Sequence, residues 1–420
     1  MRSFLIHLHP PRVNERTLHP LTTLGLGLTG LVLFLVLGIT GVLLMLYYVP
    51  TTAGALGSTQ DIEYAVTYGS TIRALHRWGA HAMVLAVFAH LLRVFFTAAY
   101  RKRALNWTIG LALFGCTLGL AFTGYLLPGD QLSYWAVVVS TNLLDHLPLV
   151  GLFLKKLLLG GADIGDPAMI RFYTLHVALL PAAMGGLIIW HLWRIRKDGG
   201  LATDARPNGE TPSSPAHPHL TLREGGLALA IVSALILVSA FVVAPLGGAP
   251  DIHQPSNPEK TPWYFLSLQE MVSYSALVGG VIFPLFIVLA LLIVPWVEFR
   301  ENGTGHWFGV SRERRICLAT LVLSTGLFVG IQGLFLSPDV AEMLVAAPVW
   351  VRHLVNPAMG MLAVAVICGI FSRIVGGTSR AAALSIGVVL VVGIVGFTAM
   401  GWCRGPNWCF YWPWEAWPHV

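Results

Sequence analysis

Apolar residues in this chain come in long unbroken runs, without the alternation of a strand that shows one face to water. Nine such runs are centred near residues 35, 85, 116, 184, 234, 287, 325, 365 and 392, each roughly 20 residues long, which is enough to cross a bilayer as a helix. Backbone groups in lipid must be paired within the segment, so long runs predict helices and not a barrel. The expected fold is all-α, a polytopic membrane helical bundle of about nine transmembrane helices. The one long polar interruption, "RKDGGLATDARPNGETPSSPAHPHLTLREGG" (196–226), has the Pro, Gly, Ser and Thr content of a solvent linker. It divides four spans from five. The expected domains are an N-terminal four-helix domain over 1–200, a linker over 201–222 and a C-terminal membrane domain over 223–420. No repeat of twenty to fifty residues is visible in the sequence.

Composition and charge add a topology. Of 420 residues, 55% are hydrophobic and 11% charged, a balance outside the range of soluble domains. Threading from a cytosolic start puts "YRKR" (100–103), "WRIRK" (193–197), "SRERR" (311–315), Arg373 and Arg380 on one side. Seventeen of the 26 lysines and arginines fall there and eight on the other face, the asymmetry of a cytosolic side. The N-terminus is therefore expected in the cytosol and the C-terminus on the opposite face of a bacterial inner membrane. The net charge of +6 describes this topology and contact with lipid, and gives no reason to invoke nucleic acid. The start lacks a clean signal-type apolar region and a small-residue cleavage site, so no removable signal is expected. Five cysteines (116, 317, 368, 403, 409) form no CxxC or CxxCH, so neither a zinc ribbon nor a covalent c-type haem is encoded. Cys403 and Cys409 fall just outside the last span, as a disulfide or as two thiols.

Ionisable groups inside membrane helices are expensive and mark function by default, although one histidine alone reads as readily as an interhelical contact. Here they come in two pairs. In "RALHRWGAHAMVLAVFAHLLRVFF", His76 and His90 are fourteen positions apart; in "RFYTLHVALLPAAMGGLIIWHLWRIRK", His176 and His191 are fifteen apart. At 100° per residue each pair stays near one helix face, and at 1.5 Å rise its members stand roughly 21–23 Å apart along the axis. Both helices run the same way through the membrane, so His76 lies level with His176 and His90 with His191. Two imidazoles at each depth, with no third protein ligand evident, suit haem b, whose porphyrin supplies the other four positions. A zinc or copper site wants three or four ligands at one level.

A second pattern matches the first. Gly27 and Gly41 in the first span, and Gly110 and Gly124 in the third, are also fourteen apart. Glycine lets backbone approach closely, here a porphyrin, whereas single glycines are common in membrane helices. Arg73, Arg93 and Arg171 flank the histidines, where they would meet haem propionates or snorkel to the interface. His81 is about 140° round the helix from His76 and reads as a packing residue. His217 and His219 fall in the linker.

These residues resemble the cytochrome b family of quinol-oxidising cytochrome bc complexes. The resemblance rests on "RALHRWGAHAMVLAVFAHLLR", "NWTIG", "FTGYLLPGDQLSYWAVVVSTNLL", "LGGADIGDPAMIRFYTLHVALLP" and "KTPWYFLSLQEM", and runs from the first span through "TPWYFL". The fifteen-residue spacing in the fourth span looks like the b6f type, with its separate second subunit here fused through the linker. The resemblance implies that the first four spans form a di-haem bundle holding two haem b, with quinone and quinol as substrates. Quinol would be oxidised near the outer face between "GYLLPGDQLSYW" and "TPWYFL". One electron would pass to a Rieske iron–sulfur protein and a c-type cytochrome, the other through the two haems to an inner quinone, with proton translocation and a dimer of complexes as the assembly. Tyr264, Tyr134 and Trp263 would line the outer pocket. The family's "PEWY" has an acidic second residue, but the stretch here reads Thr261-Pro262-Trp263-Tyr264. Glu270, two turns on, and Asp130, in "PGD", are the carboxylates that would replace it as proton acceptor. Gly25 stands where the b6f type has the cysteine of an extra haem, so no covalent c-type haem is expected. The tryptophan-rich tail lies outside the resemblance, as a platform for a partner subunit or an aromatic belt.

Two other readings compete. A di-haem membrane anchor relaying electrons between the quinone pool and a peripheral oxidoreductase explains four histidines but not "TPWYFL". A transporter with Gly- and Pro-broken helices predicts no bound chromophore.

Overall fold

The computed structural model describes residues 11–161, 163–200, 212–297, 305–376 and 378–417. Among them, nine helices are long and apolar enough to cross a membrane: Leu26–Met45, Gly69–Phe96, Ala104–Leu126, Asp166–Lys197, Ala216–Phe241, Val278–Trp296, Ser311–Phe335, Pro357–Gly376 and Ser379–Trp402, first to ninth in chain order. Every expected span is present. Leucine, valine and isoleucine side chains such as Ile39, Leu85, Ile189 and Leu237 point outward, where lipid takes the place of a core.

The chain forms two compact units. The first takes in the residues up to Pro128, Gly165–Leu246 and a short piece ending at Gly309. Its core draws on five helices, with Leu33 from the first, Met83 and Ala86 from the second, Ile109 and Leu113 from the third, Met184 from the fourth and Leu235 from the fifth. The fifth helix therefore belongs with the first four, which moves the boundary from the linker to Leu246. Packing explains the shift. Leu235 sits against Gly79, and the chain beyond the fifth helix is held by the second, whose Trp78 Nε1 donates to the Val242 carbonyl at 2.8 Å.

The expected linker is only partly irregular. Residues 201–211 lie outside the described residues, but Ser213–Pro215 forms a strand antiparallel to Arg12–Asn14, and helix resumes at Ala216. Glu15 N–H donates to the Pro212 carbonyl and Ala216 N–H to the Pro11 carbonyl, both at 3.0 Å, so the short ribbon is closed at both ends.

The second unit comprises Gly129–Ile164, Gly247–Glu301 and Val310–Val420. Its core gathers Met271, Phe283, Phe328, Met361, Val389 and Phe397. Helix Gln131–Asn142 starts at Asp130, whose side chain accepts the Ser133 N–H, and the ninth helix starts at Thr378, whose hydroxyl accepts the Ala381 N–H.

Two helices widen into a π turn, and both do so for one reason. The turns span Leu175–Leu179 and Val278–Ile282, and each is followed two residues later by a proline, Pro181 and Pro284. Proline lacks an N–H and its ring collides with the carbonyl four residues back. Widening the preceding turn makes room, so that Leu180 N–H reaches the Leu175 carbonyl and Phe283 N–H the Val278 carbonyl, each five residues back.

Candidate functional site

The four histidines sit where four glycines leave space. A Cβ on Gly41 would stand 3.3 Å from His76 Cε1, one on Gly27 3.4 Å from His90 Cε1, and one on Gly110 3.6 Å from His191 Cε1. At Gly124 it would overlap the His176 ring, 2.9 Å from Nδ1. Each expected glycine thus faces one expected histidine, first helix against second and third against fourth. At each of the four positions the missing Cβ leaves room beside an imidazole.

The fifteen-residue spacing is resolved by the π turn. His176 lies within Leu175–Leu179, and a π turn winds in one residue beyond the α-helical count. Its partners Gly110 and Gly124 are fourteen apart on a continuous α-helix, so His176 and His191 keep step with a fourteen-residue period.

The His76 and His176 ring centroids are 6.1 Å apart. That is about the spacing of two imidazoles on opposite sides of one metal with metal–nitrogen bonds of about 2 Å. Both rings are anchored through Nδ1. His76 Nδ1 lies 3.0 Å from Thr40 Oγ1; His176 Nδ1 lies 3.0 Å from the Leu120 carbonyl and 3.2 Å from Thr123 Oγ1. Anchoring Nδ1 fixes ring orientation and leaves Nε2 free to ligate. Sequence reasoning missed these threonines, although "TG" precedes "xLL" at both 40–44 and 123–127. His90 and His191 line a partly open cavity together with Arg93, Arg103, Asn106 and Trp107. Among the described residues no group of three or more His, Cys, Asp or Glu could hold a metal ion. Paired imidazoles fit a macrocycle that brings its own equatorial nitrogens.

The flanking arginines separate. Arg93 lines the cavity beside His90 and His191 while its Nε and Nη2 donate to the Thr22 carbonyl at 3.1 and 2.7 Å. Arg73, expected beside propionates, is buried and committed elsewhere: Nε pairs with Glu63 at 2.5 Å and the Nη groups hold the Ala244 and Pro245 carbonyls. Arg171 is exposed.

In the second unit both carboxylates expected as proton acceptors are engaged. Asp130 is a helix cap, with Oδ1 accepting Ser133 N–H at 2.9 Å and Oδ2 accepting Gly247 N–H at 2.8 Å. Glu270 is wholly buried and paired with Arg404 at 2.5 Å. Burial, then the Glu270 charge, pushes the Tyr274 hydroxyl pKa upward. Tyr134 is half-buried, its ring centroid 5.6 Å from that of Trp135, with its pKa raised by burial and by the Asp163 carboxylate. Tyr264 is half-buried between Trp263 and Phe265, at ring distances of 5.4 and 4.9 Å. Cys403 and Cys409 are free thiols in this structure.

A bundle of membrane helices with histidines facing each other at two depths defines the class of helical membrane electron-transfer proteins. The family "Cytochrome b(N-terminal)/b6/petB" matches residues 81–249. Cytochrome b6 of Heliobacterium mobile is 46% identical over 192 residues, 46% of this chain and 88% of that protein. Cytochrome b of Rickettsia conorii is 31% identical over 287 residues, 65% of this chain and 71% of that one. Among solved structures, a chain of a "Hyperthermophilic respiratory Complex III" superposes with a TM-score of 0.68 at 21% identity, covering 94% of this chain and 96% of that chain, which establishes a shared fold. The chain belongs to the cytochrome b/b6 family, with b6-like and subunit-IV-like halves in one polypeptide. It is a haem b-binding subunit of a bc-type electron-transfer complex.

Proposed function

We propose that this cytochrome b holds two haem b, one between His76 and His176 and one between His90 and His191, and forms the core of a quinol-oxidising complex. Quinol is oxidised at the outer face, losing two electrons and two protons. One electron leaves to a Rieske iron–sulfur partner and a c-type cytochrome, and the other passes to a quinone at the inner face, where two turnovers supply the two electrons that, with two protons taken up there, make one quinol. Protons are released outside. The observation that carries this reading is the fourfold pairing of glycine with histidine at two depths.

Haem b bound at these positions supplies reversible one-electron transfer. The chain's own residues hold and orient. Thr40, Thr123 and the Leu120 carbonyl fix the outer imidazoles. Arg93 and Arg103, both lining the inner cavity, are placed to meet propionates there. Because each haem would be held by two histidines, quinol would bind elsewhere, near Tyr264, Trp263 and Tyr134. The lysine and arginine asymmetry supports a cytosolic N-terminus and an outer C-terminus in a bacterial inner membrane. Membrane lipid surrounds a dimer of such complexes.

The test is a redox-difference spectrum of the purified complex together with its quinol-dependent reduction of a c-type cytochrome. Two b-type signals and quinol-dependent turnover are expected. Absence of a b-type signal would sink the haem assignment, and two signals without turnover would favour a di-haem anchor.

A further inference from the structure

Beyond the ninth membrane helix the chain forms a loop closed on itself. Arg404 bridges Phe410, Gly405 N–H donates to the Cys409 carbonyl and Tyr411 N–H to the Cys403 carbonyl, both at 2.8 Å. From this loop Arg404 and Trp408 reach the helix Trp263–Tyr274. Arg404 Nε lies 3.1 and 3.0 Å from the two Glu270 oxygens, and Nη2 lies 2.5 Å from Oε1. Trp408 Nε1 donates to Oε2 at 2.9 Å, the Tyr274 hydroxyl donates to Oε1 at 2.9 Å, and Arg404 Nη2 also donates to the Tyr274 oxygen at 2.7 Å. Two further ties hold the chain leading into that helix. Asn257 and Asn407 exchange bonds of 2.9 and 2.6 Å, and Lys260 Nζ donates to the Trp402 carbonyl at 2.9 Å. The loop therefore grips residues on both sides of Thr261–Tyr264.

We propose that the loop 403–411 is a built-in part of the outer quinol site and that Arg404 is its positioning residue, acting through Glu270 to set the rotation and depth of the helix that carries Trp263 and Tyr264. This rests on the reading of that helix as the quinol site. Three side chains donate to one buried carboxylate, so taking up a proton there would break bonds that hold the helix. Orientation is the use that remains. A buried ion pair is also poor value as stabilisation, because apolar packing of the same volume does as well, whereas fixing one register is its best-attested use. Gln269 completes the arrangement: Oε1 accepts from the Thr261 N–H and hydroxyl, and Nε2 donates to the Glu259 carbonyl. It ties the approach to the helix, while Glu270 ties the helix to the loop.

The test uses the intact complex with a short-chain quinol and compares wild type, Arg404→Gln, Arg404→Lys, Trp408→Phe and the double variant Glu270→Gln/Arg404→Gln. Arg404→Gln strands a buried charge and is expected to unfold at lower temperature. The double variant removes both charges and is expected to keep its b-type spectrum and a melting temperature near wild type, yet to show a quinol KM raised about tenfold with kcat within about twofold. Arg404→Lys recovers part of the KM, and Trp408→Phe raises it about threefold. Unchanged KM in the folded double variant and in Trp408→Phe overturns the inference, as does activity that falls only with the fraction unfolded. A wild-type complex that does not oxidise quinol overturns the quinol reading itself, and this inference with it.

Discussion

A Cβ built on Gly124 overlaps the His176 ring, whereas one built on Gly110 stands 3.6 Å from His191 Cε1, an ordinary contact. The two glycines look alike in the sequence but carry different constraints. Gly124→Ala should displace the His176 imidazole and, if two haems are bound as proposed, remove about half of the b-type absorbance, while Gly110→Ala should keep both signals; haem content per polypeptide measures the difference. Equal retention by the two variants would show that the ring at Gly124 yields easily. The histidines and glycines were legible because depth and phase follow from counting along a helix of known pitch. The partners of the charged residues were not. Arg73 pairs with Glu63, Asp130 with Gly247, and Glu270 with Arg404, the last across 134 positions. A carboxylate read alone looks available, and only the fold reveals who already occupies it.

Among the elements, the fourth helix carries the least expected feature. Counting at 100° per residue leaves His176 and His191 about 60° apart, against about −40° for His76 and His90. The turn Leu175–Leu179 removes the discrepancy, and its cause, Pro181, was in plain view. A proline inside an apolar run signals some distortion, but whether the helix kinks, breaks or widens depends on its neighbours. The surplus residue makes a specific expectation. Deleting Ala178 together with Pro181→Ala should let the helix run as continuous α with a fourteen-residue spacing and both haems retained. Deleting Leu85 from the second helix, which has no such reserve, should turn His90 by about 100° and cost one haem. Redox-difference spectra of the two deletion variants decide it, and loss of haem from both would remove the π turn from the account.

In the molecule as a whole, the nine helices were legible because lipid imposes one length and one composition on every span. The grouping of those helices was not, since a helix that is apolar on all sides does not announce its neighbours. The polar stretch after the fourth span suggested a division there, yet the fifth helix packs with the first four through Leu235, and Gly129–Ile164 joins the second unit. The ribbon of Arg12–Asn14 with Ser213–Pro215 adds a consequence. It fastens sequence from before the 201–211 stretch to sequence from after it, by main-chain bonds that do not depend on the stretch being continuous. Two polypeptides made separately, ending and beginning there, should therefore co-purify as one haem-bearing particle. Covalent joining would then serve mainly to guarantee equal numbers of the two pieces, a matter of supply rather than of strength.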